Sequence, residues 1–144
     1  MDQPIQLRVA CKALIAREGK VLIIRESNKY EEGTNVGKYD MPGGRITPGE
    51  PFAEALQREV LEESGLKVTV GQPIYVAEWR PVVKGVQLHI VGIYFLCEAS
   101  GEVKLSDDHD DYKWIEASEI PKYKFLYPVD DVILAWSREQ GKAH

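Results

Sequence analysis

From Gln6 to Ala16 the chain alternates, with Leu7, Val9, Cys11, Ala13 and Ile15 on one side. A period of two predicts a strand buried on one face. Arg17 to Lys20 read as a turn, and Val21 to Arg25 as a second strand folding back on the first. Residues 26–38 (ESNKYEEGTNVGK) are polar throughout, a loop long enough to carry function. Tyr39 to Pro42 lead into a stretch punctuated by Gly43, Gly44, Pro48 and Gly49, which cannot be helical. Residues 51–64 then turn to helix formers, with Pro51 suited to the first helical position and Gly65 to the left-handed residue past the end. Strands are predicted at Lys67 to Val70, Gln72 to Arg80 and Val86 to Cys97, with short ones at Val103 to Leu105 and Tyr112 to Ile115. A closing helix from about Val129 to Gln140 would bury Val132, Ile133 and Trp136. Hairpin-rich strands packed with helices predict an α+β sandwich around a mixed sheet, one domain over residues 1–144.

Composition narrows the partners. The net charge of −5 argues against a nucleic-acid backbone, which draws basic proteins. It leaves open a small phosphorylated ligand whose metal brings the positive charge. Cys11 and Cys97 sit in apolar stretches without metal-ligand spacing, and so read as buried small hydrophobes in a reducing compartment. No signal peptide opens the sequence and no apolar run is long enough to span a bilayer, so no membrane partner and a cytoplasmic location are expected. Strand edges leave both a monomer and a homodimer open.

The helix at 51–64 carries the chemistry. At about 100° per residue, Phe52, Ala55 and Leu56 start an apolar stripe that Glu59 and Glu63 continue, with Glu62 beside it and Leu61 on the polar side. An acidic helix is ordinarily a solvated face. These acids instead crowd together in line with the buried stripe and near the helix C-terminus, where the helix dipole disfavours negative charge. A divalent cation would relieve that repulsion. Carboxylate donors without clustered Cys or His favour Mg²⁺, with Mn²⁺ as a substitute, and such a metal commonly holds substrate phosphates as well.

Gly44, Glu50, Arg58, Glu59, Val60, Glu62, Glu63, Gly65 and Leu66 occupy every defining position of the Nudix signature. Tyr39, Pro42, Gly43 and Gly44 resemble the Trp-x-x-Pro-Gly-Gly that often precedes it, with tyrosine for tryptophan. The resemblance implies an α/β/α sandwich and attack of water on a phosphorus of a nucleoside diphosphate-linked substrate. It makes Glu59, Glu62 and Glu63 metal ligands, with Glu59 also the candidate base. Glu50 and Arg58 become a bracing ion pair. Downstream, Asp108 stands where many Nudix enzymes carry a glutamate that adds a ligand or base, one methylene longer.

Substrate contacts are less marked. Arg45, directly after the Gly-Gly turn, is the arginine best placed to grip phosphate, with Gly44 and Tyr39 beside it. Arg25 and Arg80 could also grip phosphates, although a surface arginine is usually just solvated, and Tyr30, Tyr39, Trp79, Tyr94 and Tyr127 could stack on a base, although strand aromatics are usually core. His109 reads as structural or substrate-contacting. The expected function is Mg²⁺-dependent hydrolysis of a (deoxy)nucleoside triphosphate to the monophosphate and pyrophosphate, resembling MutT-type enzymes. Pro81 lies where ADP-ribose enzymes of the family tend to have proline, so ADP-ribose or a dinucleoside polyphosphate is the alternative substrate. A nucleotide-sensing module without turnover is the alternative from another class, and isopentenyl diphosphate isomerase chemistry ranks below it.

Overall fold

A computed structural model describes residues 3–27 and 37–142. Most of the polar loop at 26–38, including Tyr30, lies outside the described residues. In chain order the elements are β1 (Gln6–Arg17), β2 (Lys20–Glu26), β3 (Tyr39–Asp40), β4 (Gly43–Arg45), α1 (Phe52–Ser64), β5 (Lys67–Trp79), β6 (Val82–Val83), β7 (Val86–Ser100), β8 (His109–Ile115), a 3₁₀ turn (Ala117–Lys122) and α2 (Val129–Lys142).

The centre is a parallel pair. β1 runs alongside β7 from Gln6↔Leu88 to Ile15↔Cys97, and β5 pairs antiparallel to the far side of β7. The other side of β1 is forked. β4 occupies it at Ala10–Lys12, whereas β2 meets it only at Ala16 and Arg17 before diverging to pair with β3 and β8. The antiparallel fold-back of β2 is therefore confined to its first two residues.

Helices cover both faces of the sheet. Leu56 and Val60 of α1 pack on Cys11, Ala13, Ile15, Phe95 and Cys97. Val132, Ile133 and Trp136 of α2 pack on Leu14, Tyr94 and Ile115. This is the expected α/β/α sandwich, with both cysteines buried and free. Because β2 lies between the two cores, Val21 to Ile24 are all buried, Leu22 and Ile24 facing α1 and Val21 and Ile23 facing α2. Each such side chain contributes about 1.5–3 kcal/mol of burial.

Three local expectations are corrected. Lys67 to Val70 and Gln72 to Trp79 belong to one strand, which ends before Arg80, its register shifting between Val70 and Tyr75. Val103 to Leu105 form no strand; both apolar side chains pack against the α1-side core while Lys104 N–H donates to the Ser64 carbonyl. Pro51 is the N-cap residue rather than the first helical one.

Candidate active site

Gly65 ends α1 as expected, with φ +75° and its N–H on the Leu61 carbonyl. The buried stripe of α1 runs Ala55, Leu56, Val60, Ser64 rather than through Glu59 and Glu63. Those two glutamates flank it, half-buried, and Glu62 is exposed. Phe52 is also partly exposed although it stacks on Phe95 at 5.1 Å. Leu61 is exposed, and nothing in the structure explains an apolar residue there.

The loop before the helix is laid against β1. Ala13 N–H donates to the Pro42 carbonyl at 2.8 Å. Gly43 approaches so closely that a Cβ would stand 2.2 Å from the Cys11 carbonyl oxygen and 2.8 Å from Lys12 Cα, at φ +140°. From there the Gly43 N–H donates to Glu63 Oε2 at 3.3 Å, and a Cβ on Gly44 would stand 3.2 Å from the Glu59 carboxylate. The Gly-Gly turn and the helix glutamates thus share one corner.

Arg58 organises the opposite edge. Its guanidinium forks onto Glu50 at 3.1 and 3.2 Å and reaches Glu59 at 2.9 Å. Glu62 lies further off, at 3.7 Å. The pairing with Glu50 is bidentate, and this hydrogen bond holds the Glu50 carboxyl below its usual range. Glu63 behaves oppositely. Burial pushes its pKa up to about 8; Lys12 and the Gly43 N–H work against that rise, and Asp40 and Glu59 add to it.

Among the described residues, no three His, Cys, Asp or Glu side chains converge as they stand on a point that would hold an ion. Each glutamate is engaged elsewhere, Glu59 by Arg58 and Glu63 by Gly43. The donor chemistry nonetheless fits a hard divalent cation, because Glu63 is a carboxylate buried without a full counter-charge and Glu59 and Glu62 are acids one turn or less away.

Asp108 is exposed, and its carbonyl accepts the Ser27 N–H at 2.9 Å. Its charge bears on Glu26 and His109. The loop as a whole touches the helix end through Ser106 N–H and the Glu63 carbonyl, at 3.1 Å. Asp108→Asn is expected to slow hydrolysis by less than loss of a helix glutamate does, measured as kcat; full activity would assign Asp108 to solvent. Among the described residues His109 Nδ1 is buried without a hydrogen-bond partner, and burial lowers its pKa.

The other residues singled out divide clearly. Arg45 is exposed on β4. Tyr39 is core, its ring edge-on to Tyr123 and its hydroxyl donating to Asp111; burial first, then that bond, push its pKa to about 12. Arg25 pairs with Asp110 at 2.7 Å and Arg80 with Glu78 at 3.3 Å. Tyr94 is buried, whereas Tyr127 is exposed and edge-on to Trp79 at 6.3 Å. Lys12 and Asp40, which the sequence reading passed over, form an ion pair of 2.8 Å beside this corner. The one signal was a lysine within the apolar run of β1, on the face that alternation assigned to solvent.

Comparison with known proteins assigns this sandwich to the hydrolases that act on phosphoanhydride bonds. The NUDIX domain model matches residues 4–137, and the chain belongs to the Nudix family; it is a pyrophosphohydrolase. An ADP-ribose pyrophosphatase of Methanocaldococcus jannaschii is 31% identical over 120 residues, covering 81% of this chain and 66% of that protein. A CTP pyrophosphohydrolase of Escherichia coli is 30% identical over 122 residues, covering 85% and 84%. Among solved structures, the MutT protein of Methanosarcina mazei Go1 superposes with a TM-score of 0.78 at 28% identity, covering 96% of this chain and 99% of that one. Among the described residues, no helix is long and apolar enough to cross a membrane.

Proposed function

We propose that the protein hydrolyses a (deoxy)nucleoside triphosphate to the monophosphate and pyrophosphate, with Mg²⁺ held by Glu59, Glu62 and Glu63. The observation that carries this reading is the half-buried, under-compensated carboxylate of Glu63, held against the Gly-Gly turn at 3.3 Å. A site that leaves a carboxylate so desolvated gains most from a divalent cation.

When bound, the metal supplies charge neutralisation for the phosphates and a water acidic enough to serve as nucleophile. The chain supplies the rest. Glu59, beside Gly44, takes the proton of the attacking water. Glu62, exposed and weakly held, would hold the cation at little cost. Arg58 would release Glu59 and Glu62 while keeping its fork on Glu50, so the loop stays braced against the helix. Arg45 would meet the phosphates from β4. Asp108 would add a ligand, and Tyr127 with Trp79 would offer an aromatic surface to the base.

The choice of a triphosphate is supported by the E. coli relative named for CTP and by a Klebsiella pneumoniae relative, 27% identical over 129 residues, named a nucleoside triphosphatase. The archaeal relative named for ADP-ribose favours the second reading, hydrolysis of that diphosphate. A nucleotide panel assayed for phosphate with and without inorganic pyrophosphatase, and for released AMP by chromatography, separates them, because ADP-ribose yields AMP and ribose 5-phosphate and no pyrophosphate. Phosphate seen only with the added pyrophosphatase, from nucleoside triphosphates, is expected. Turnover of ADP-ribose with no turnover of any triphosphate would replace the first reading by the second.

A further inference from the structure

We propose that Lys12 and Asp40 are a positioning pair that sets Glu63 for the metal. This inference rests on the metal-site reading above. Lys12 belongs to a central strand, and its side chain and that of Asp40 are only 15% and 17% exposed. The ammonium donates to Asp40 Oδ2 at 2.8 Å and to the Met41 carbonyl at 3.3 Å. Asp40 Oδ1 in turn accepts the Met41 N–H at 2.7 Å. Both partners therefore grip the same short segment, residues 40–41, which runs directly into Pro42 and Gly43.

The backbone continues the chain of contacts. Lys12 is the register partner of Gly43, and a Cβ on Gly43 would meet Lys12 Cα. Gly43 is the residue whose N–H reaches Glu63. Side chain and main chain of one lysine thus fix the turn that fixes the carboxylate. Burial works against the charge on Lys12, yet Asp40 and Glu63 outweigh it and hold the ammonium pKa above its usual value.

Stability alone is a poor reason for such a pair. Taking two charges partly out of water costs what their attraction returns, and apolar replacements of buried pairs are often neutral. What the pair does supply is direction, because two hydrogen bonds from one ammonium, reinforced by Asp40 on Met41, leave the turn a single place to sit.

The sign of a metal-affinity change separates positioning from bulk electrostatics. If Lys12 acted only through its charge, Lys12→Met would bind a cation more tightly, since a repelling ammonium is lost. Positioning gives the opposite sign. Titration of Mn²⁺ in the absence of nucleotide, followed by the electron paramagnetic resonance signal of the free ion, is expected to show Lys12→Met binding at least ~5-fold more weakly than the parent. In parallel, kcat is expected to fall at least ~10-fold with KM within ~3-fold, and Lys12→Arg to recover most of both. The double variant Lys12→Met, Asp40→Asn removes the pair without altering net charge, and it stands in if the single variant does not fold; weaker Mn²⁺ binding is again expected. Equal or tighter binding in the folded variants, or a change in KM alone, overturns the proposal. Glu62→Gln serves as the control: a parent protein that binds no Mn²⁺, or binds it equally well with Glu62→Gln, overturns the metal site itself rather than the role of Lys12.

Discussion

Glu63→Gln is expected to lower turnover at saturating Mg²⁺ by at least ~100-fold while leaving the fold intact. The two side chains have the same shape, and the amide oxygen can still accept the Gly43 N–H, now at 3.3 Å from the carboxylate. What is lost is the charge, in a place where burial makes charge costly and a cation valuable. The substitution removes a desolvation penalty, so the metal-free variant should melt no lower than the parent. Glu62→Gln supplies the complement. Its side chain is 60% exposed and its nearest cation is Arg58 at 3.7 Å, so a comparable rate loss there has no structural explanation other than the missing ligand. Steady-state kinetics with thermal melts decide the matter; an unchanged rate in either variant would contradict the assigned site.

Chelation should abolish hydrolysis and added Mg²⁺ restore it; turnover that survives EDTA would point to a different chemistry. The same experiment has a pH signature. In the metal-free fold the Glu63 carboxyl keeps its proton up to about pH 8, against an ordinary value of 4.5 for a solvated glutamate. Between those values the folded chain binds more protons than the unfolded one, so stability falls as pH rises. The Glu63 contribution is complete below pH 4.5 and is lost as pH passes through about 8, a change on the order of a few kcal/mol. Melting temperatures in EDTA should therefore decline across this window more steeply in the parent than in Glu63→Gln. With Mg²⁺ the slope should flatten, and the Mg²⁺ needed for half-maximal rate should drop toward alkaline pH, because the ion displaces the proton. Parallel pH slopes for parent and variant would remove Glu63 from this account.

Local chemistry made much of this legible in sequence. The Gly-Gly turn, the helix from Phe52 to Ser64 and the Glu50–Arg58 brace all lie within one short stretch, where spacing and turn residues dictate geometry. The break expected at Gly71 failed for a tertiary reason: β5 is an edge strand, so the neighbouring Pro73 costs no ladder hydrogen bond and a register shift absorbs the irregularity. The stripe through Glu59 and Glu63 was an error of about one residue in helical phase, since Val60 and Ser64 take the core side. Lys12 could not be placed from alternation. Cys11, Ala13 and Ile15 announce their burial by being apolar, although Leu7 of the same alternation is exposed; the even face is also covered, and only the fork of β4 and β2 around β1 brings Asp40 to it.

The parallel pairing of β1 with β7 also governs when the molecule can form. Gln6 lies opposite Leu88, so the two central strands are far apart along the chain, whereas β2 and β4 reach the other edge of β1 from close by. Closing the central pair is therefore a long-range event, and such contacts slow folding relative to local ones.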